Sequence, residues 1–121
     1  MKILHLASHG SLRRGGAVQM IRLARERFNP IVVLATSQTF DDPYDMDAVS
    51  IYYGSLRIVS RDLGCEFAPV HHHWAGYLRE NCLKSEDLVL SDPRYPNEKG
   101  HEVIADAIVP ALRSALHLRD V

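Results

Sequence analysis

Cysteine is scarce: the 121 residues hold two, Cys65 and Cys82, and neither sits in a paired framework or a metal-ligand spacing. A disulfide-stapled scaffold is excluded, and both thiols are read as reduced core residues. Charge of one sign is also lacking, with 14 Lys and Arg against 15 Asp and Glu. No general field exists to hold a polyanion, so nucleic acid is not expected as a partner. Long apolar runs are missing as well. Met1 leads straight into Lys2-Ile3-Leu4-His5-Leu6-Ala7, with no basic segment followed by a long apolar stretch. Neither a signal peptide nor a membrane span is visible, and the expectation is a cytoplasmic chain with no membrane partner. Internal repeats and low-complexity segments are absent, which excludes solenoids and disordered linkers.

What is present is an ordinary globular balance, 46% apolar and 24% charged, in a length that suits one domain over residues 1–121. The apolar run Ile3 to Ala7 breaks at Ser8-His9-Gly10-Ser11 and Gly15-Gly16. It restarts with Ala17, Met20, Ile21, Ala24 and Phe28 at helical spacing. Asn29-Pro30 stops that helix, and Ile31-Val32-Val33-Leu34-Ala35 is a continuous apolar run of the kind that strands show when both faces are covered. A polar loop from Thr36 to Asp45 precedes a second helix, Asp47 to Leu63, which Gly64 ends. Cys65 to Val70 reads as a third strand, His73 to Leu83 as a third helix with Trp74, Tyr77 and Leu78 inward, and Leu88-Val89-Leu90 as a short fourth apolar stretch. In the last helix Val103, Ile104, Ala107, Ile108, Ala111, Leu112, Ala115 and Leu116 form a stripe. Asn97 is its N-cap, and Pro110 predicts a kink or a local break.

Strands alternating with helices imply a doubly wound three-layer α/β/α sandwich on a short parallel sheet with right-handed crossovers. Ligands in such sheets bind beyond the carboxyl ends of the strands. Here that means the loops at Ser8 to Gly16, Thr36 to Asp45, His71 to Trp74 and Ser91 to Gly100. A sheet of about four strands has edges that a second copy could cover, so a homodimer is compatible with the fold.

The segment Ser91-Asp92-Pro93-Arg94-Tyr95-Pro96-Asn97-Glu98-Lys99-Gly100-His101 is similar to the last motif block of SGNH (GDSL-type) hydrolases. In that family an Asp is followed three residues later by the catalytic His, then by Pro-Asn and by Gly-His at a helix start. The order of elements from about residue 30 to 116 follows the family too. The resemblance implies a flavodoxin-like fold, cleavage of acyl or acetyl esters, and a small-molecule ester or carbohydrate-like ligand, with no cofactor. It makes Asp92 the triad acid and puts Tyr95 where the base belongs. A phenol titrates near ~10 and an imidazole near ~6.5, so a tyrosine there does not readily take a proton from a serine. His101 falls on the Gly-His pair, where packing or capping competes with a displaced catalytic role. His9-Gly10-Ser11-Leu12 echoes the family's serine block with Gly where Asp precedes the serine, making Ser11 the candidate nucleophile. No Gly-x-Asn-Asp segment supplies oxyanion donors. The chain therefore reads as a truncated or degenerate member of weak or absent activity.

The opening residues also resemble those of glycosyltransferases with two Rossmann-like domains. Gly10, Arg13, Arg14, Gly15 and Gly16 before a helix could cradle a phosphate or a nucleotide sugar, because amides and helix dipole both favour negative charge there. A tight turn explains the same glycines. A non-catalytic binding domain is the third reading. His71-His72-His73 could place at most His71 and His73 on one ligand if extended, and no metal site is expected from them. Asp41, Asp42, Asp45 and Asp47 before a helix are explained by capping and solvation.

Overall fold

The computed structural model describes residues 3–4 and 14–119. Among them, three parallel strands form one sheet in the order β1 (Ile3–Leu4), β2 (Ile31–Ala35), β3 (Glu66–Ala68). Ile3 pairs with Ile31 across β1 and β2, and Leu34 pairs with Phe67 across β2 and β3. The helices are α1 (Arg14–Phe28), α2 (Pro43–Leu63), α3 (Val70–Glu80) and α4 (Glu98–Arg119), with a short 3-10 helix at Ser85–Leu88.

The core follows from the alternation of side chains along β2. Val32 and Leu34 point to one face and pack with Ile21 of α1 and with Leu56 and Val59 of α2. Ile31 and Val33 point to the other and pack with Ala111 and Ala115 of α4. Crossovers of one hand that step the same way along a sheet put their helices on the same face, which explains why α1 and α2 lie together. The opposite face is left to α4. A third cluster, Trp74, Leu88 and Val103, joins α3, the 3-10 helix and α4.

The helix ends are set by local chemistry. Asp42 caps α2, its Oδ1 accepting from the amides of Tyr44 at 2.9 Å and Asp45 at 3.1 Å, with Pro43 in the first turn. Gly64 ends α2 at φ 64°, a left-handed conformation that suits glycine. Arg25 of α1 donates to the carbonyls of Leu63 and Gly64, so a cation meets the negative end of α2. Asn97 caps α4 as the sequence predicts: its Oδ1 accepts from Gly100 N at 2.9 Å, and its Nδ2 donates to Asp87 O at 2.9 Å.

Several boundaries differ from the sequence expectation. The third strand is Glu66–Ala68 rather than Cys65 to Val70, because Pro69 ends the ladder and its carbonyl accepts from His72 and His73 to open α3 three residues early. His71 to Trp74 is therefore helix, not loop. Leu88-Val89-Leu90 is not a strand of the sheet: Leu88 closes the 3-10 helix, and Val89 makes an isolated antiparallel bridge to Pro96. Pro110 does not break α4, which runs continuously through it. Pro110 and Asp106, whose carbonyl loses its helical donor, are both exposed, so water can replace the lost bond. Cys82 is exposed rather than core, whereas Cys65 is half-buried and burial pushes its thiol up, against the pull of Arg25.

Gly100 marks the tightest contact. A Cβ there would collide with the Leu88 carbonyl oxygen and lie 2.9 Å from Pro96 Cβ and 3.0 Å from Trp74 Cη2. In the middle of α2, a Cβ on Gly54 would meet nothing within 4 Å. Gly100→Ala is expected to destabilise the fold by about 2 kcal/mol through overpacking. Gly54→Ala is expected to stabilise it by roughly 0.5–1 kcal/mol through helix propensity. Urea unfolding of the two variants checks both signs.

Candidate functional site

The loop at the carboxyl end of β2 meets the segment between the 3-10 helix and α4. That segment is a tight hairpin: Leu90 N donates to Tyr95 O at 2.9 Å, and Tyr95 N donates to Asp92 O at 3.0 Å. Asp92 sits at its tip. Gln38, buried in the loop after β2, donates from Nε2 to Arg94 O at 3.0 Å and ties the two loops together. Ser85 Oγ donates to Asp41 Oδ1 at 2.8 Å and makes a second tie between the β2 loop and the 3-10 helix.

The carboxylate of Asp92 is taken up by Arg94. Its Oδ1 accepts from Arg94 N at 3.0 Å and Nε at 3.1 Å, and its Oδ2 accepts from Nη2 at 2.9 Å. This forked contact holds the Asp92 carboxyl below the usual range, first through the side-chain bonds and then through the backbone amide. Neither Tyr95 nor His101 bonds to that carboxylate among the described residues. Tyr95 is 56% exposed, and His101 is exposed on the first turn of α4 with its amide bonded to Asn97 O. Ser11, Gly10 and Arg13 lie outside the described residues. Arg14, Gly15 and Gly16 fall within the first turn of α1. The hairpin thus places Asp92 and Tyr95 in one turn, while His101 belongs to the helix beyond it.

Sequence reasoning missed three participants. Arg94 as the partner of Asp92 has a local signal, since an aspartate followed two residues later by a residue whose amide it accepts is an Asx turn. Gln38 has none, because its bond joins residues 56 apart in sequence. The third is His71. The helix turns the imidazole inward to Thr36 at the end of β2, with Nδ1 2.7 Å from Thr36 Oγ1, while His72 and His73 stay exposed. His71 N also donates to Thr36 Oγ1 at 3.1 Å. Thr36 Oγ1 is thus within hydrogen-bond distance of both the ring and the amide of His71, which anchors the imidazole at the end of β2. Tyr53 packs edge-on against the ring at 4.5 Å and His72 lies 4.1 Å from it. Burial, reinforced by His72, pushes His71 down to about 4.

This architecture is a mixed α/β fold on a short parallel sheet. The chain is similar to a catalytic mutant of Axe2, an acetylxylan esterase from Geobacillus stearothermophilus. The TM-score is 0.67 at 11% identity, over 81% of this chain and 44% of that one. It is also similar to LAE5, an alpha/beta hydrolase enzyme from the metagenome of Lake Arreo, Spain. There the TM-score is 0.61 at 21% identity, over 83% of this chain and 47% of that one. The chain spans less than half the length of either. At these identities the likeness concerns the fold. No family model matches the chain, and no curated protein matches it in sequence. Among the described residues no helix is long and apolar enough to cross a membrane.

Two outcomes are expected. Arg94→Ala should raise the Asp92 titration midpoint toward the ordinary carboxylate range, read by NMR of the side-chain carboxyl carbon. His71, neutral when folded, contributes stability that is complete above its unfolded value of 6.5 and declines as pH falls from there to about 4. The urea midpoint should fall across that window in the natural chain and fall less in His71→Gln; equal slopes would remove His71 from the acid sensitivity.

Proposed function

We propose that the chain is an SGNH (GDSL-type) hydrolase-like domain, a three-layer α/β/α sandwich of flavodoxin-like kind, directed at acyl or acetyl esters and weak or silent as it stands. The observation that carries this reading is the engagement of Asp92. Its carboxylate stands on the edge where parallel α/β folds keep their chemistry, yet its partner is the Arg94 guanidinium rather than an imidazole. An acid that serves a triad orients and charges a base, and here both oxygens face a permanent cation. Tyr95, the residue in the base position, projects from the same turn. In this reading Asp92 is the triad acid, Ser11 the nucleophile, and the base is missing or displaced to His101. The hydrolase neighbours support the class of chemistry through the fold.

The same engagement of Asp92 favours a second reading, a binding domain that keeps the hydrolase architecture without its turnover. Its ligand would be a small ester or carbohydrate-like molecule. A phosphate or nucleotide-sugar site at Gly10, Arg13, Arg14, Gly15 and Gly16 is the remaining alternative, and Gly15 and Gly16 at the start of α1 are compatible with it.

Tyr95→His should raise hydrolysis of p-nitrophenyl acetate by at least about tenfold, a modest share of what general base catalysis supplies. Adding Ser11→Ala should abolish the gain. An unchanged rate in Tyr95→His would remove this hairpin and Ser11 from the reaction, and brisk turnover by the natural chain would contradict the weak-enzyme reading.

A further inference from the structure

The peptide unit that joins Arg94 to Tyr95 lies in the middle of the Asp92 hairpin, and both of its polar atoms are held. Tyr95 N donates to Asp92 O at 3.0 Å on one side, and Arg94 O accepts from Gln38 Nε2 at 3.0 Å on the other. A trans peptide is planar and its N–H and C=O point opposite ways, so bonds to both fix the orientation of the plane. The side chain at position 95 takes its direction from that plane, and Leu90 N, donating to Tyr95 O, fixes the next one. Arg94 also supplies the amide and the guanidinium that take up the Asp92 carboxylate. From 56 positions away, Gln38 thus grips the residue on which Asp92 and Tyr95 both depend.

The chemistry at position 38 points to placement rather than stability. Four polar side chains are buried among the described residues: Thr36, Gln38, Ser60 and His71. Ser60 bonds back to Arg57 O within its own helix, whereas the other three gather where β2 gives way to its loop. Thr36 and His71 satisfy one another. Gln38 is 5% exposed, yet it donates to a carbonyl of Arg94, an exposed residue. Ordering a long side chain costs about as much rotamer freedom as one neutral hydrogen bond returns, and an apolar side chain of similar size would fill the same space. What an apolar side chain could not do is hold the Arg94 carbonyl.

We propose that Gln38 is a positioning residue of the Asp92 site: by holding the Arg94 carbonyl it sets the direction of the side chain at position 95 relative to the Asp92 carboxylate. Gln38 touches no reacting atom and acts through the Arg94 main chain. For the reaction this rests on the hydrolase reading, but the placement itself is measured without any turnover.

NMR of the natural chain supplies a first test that needs no variant. The bonded side-chain amide proton of Gln38 should exchange with water at least about tenfold more slowly than those of Gln19, which is exposed on α1; equal rates would overturn the proposal. Gln38→Met keeps the length and removes the donor. It should raise the Asp92 titration midpoint toward the ordinary carboxylate range and speed exchange of the Leu90 and Tyr95 amides about tenfold, while the amides of β2 stay within about twofold. Gln38→Glu, of the same shape but without a donor when ionised, should do the same near neutral pH. A side chain that served packing alone would shift the hairpin and β2 amides together and leave Asp92 unmoved, and that result, or no change in either variant, would overturn the proposal. In Tyr95→His, adding Gln38→Met should lower kcat for p-nitrophenyl acetate about tenfold with KM within about twofold, because the base is turned away while substrate contacts are untouched. An undiminished kcat in that double variant would also overturn it. A Tyr95→His chain with no added turnover would count against hydrolysis, and Gln38 would then be judged on Asp92 and the two hairpin amides.

Discussion

Strand β2 has no polar face. Ile31 and Val33 on one side and Val32 and Leu34 on the other are all nearly sealed from water, so the strand is stable only while helices cover both of its surfaces. Each of these side chains is worth about 1.5–3 kcal/mol when fully buried, a sum of the order of a small domain's whole stability before conformational entropy is set against it. The pairing with β1 and β3 and the docking of α1, α2 and α4 are consequences of that requirement. So is the position of the loop that leaves the strand at Thr36, which carries Gln38 and Asp41 toward the segment before α4.

That segment is held by backbone rather than by side-chain volume. Asn97 bonds the carbonyls of Leu88 and Asp87 and caps α4, and the absence of a side chain at Gly100 lets the helix start lie against Leu88 and Trp74. The Pro-Asn-x-x-Gly-His pattern can thus be understood as docking hardware: it fixes the hairpin that presents Asp92, whatever chemistry the hairpin performs. The last helix needs this glycine and asparagine to seat whatever residue stands at position 95. Presence of this pattern is therefore evidence of fold before it is evidence of catalysis.

Charge in the site follows the same division between scaffold and chemistry. Asp42 and Asp41 serve the helix cap and the Ser85 tie, and Asp92 is matched to Arg94 within one turn. The pair is largely exposed, so it adds little to stability, but it determines what the carboxylate can be used for. His71 is the opposite case. Its imidazole is withdrawn from solvent and satisfied by Thr36, which makes it part of the packing between β2 and α3.

Much of the architecture was legible from the residues alone. The two-sided apolar run of β2, the Asn97 cap, the Gly64 stop and the apolar stripe of α4 each depend on neighbours within a few positions, and each is found where expected. The sequence also put Asp92 and Tyr95 in one loop, Ser91 to Gly100, and the structure makes that loop a hairpin. The start of α3 at Val70, the unbroken passage of α4 through Pro110 and the conversion of Leu88 to Leu90 into a 3-10 end and a bridge went the other way. Solvent beside Asp106 and the helix start packed under Leu88 decided two of these, and the Pro69 carbonyl that accepts from His72 and His73 decided the third. Sequence by itself determined the periodicities and caps, because these are satisfied by bonds to adjacent turns. Tertiary structure alone decided the partners of Gln38 and His71, because residues distant in the chain become neighbours only after both faces of the sheet are covered.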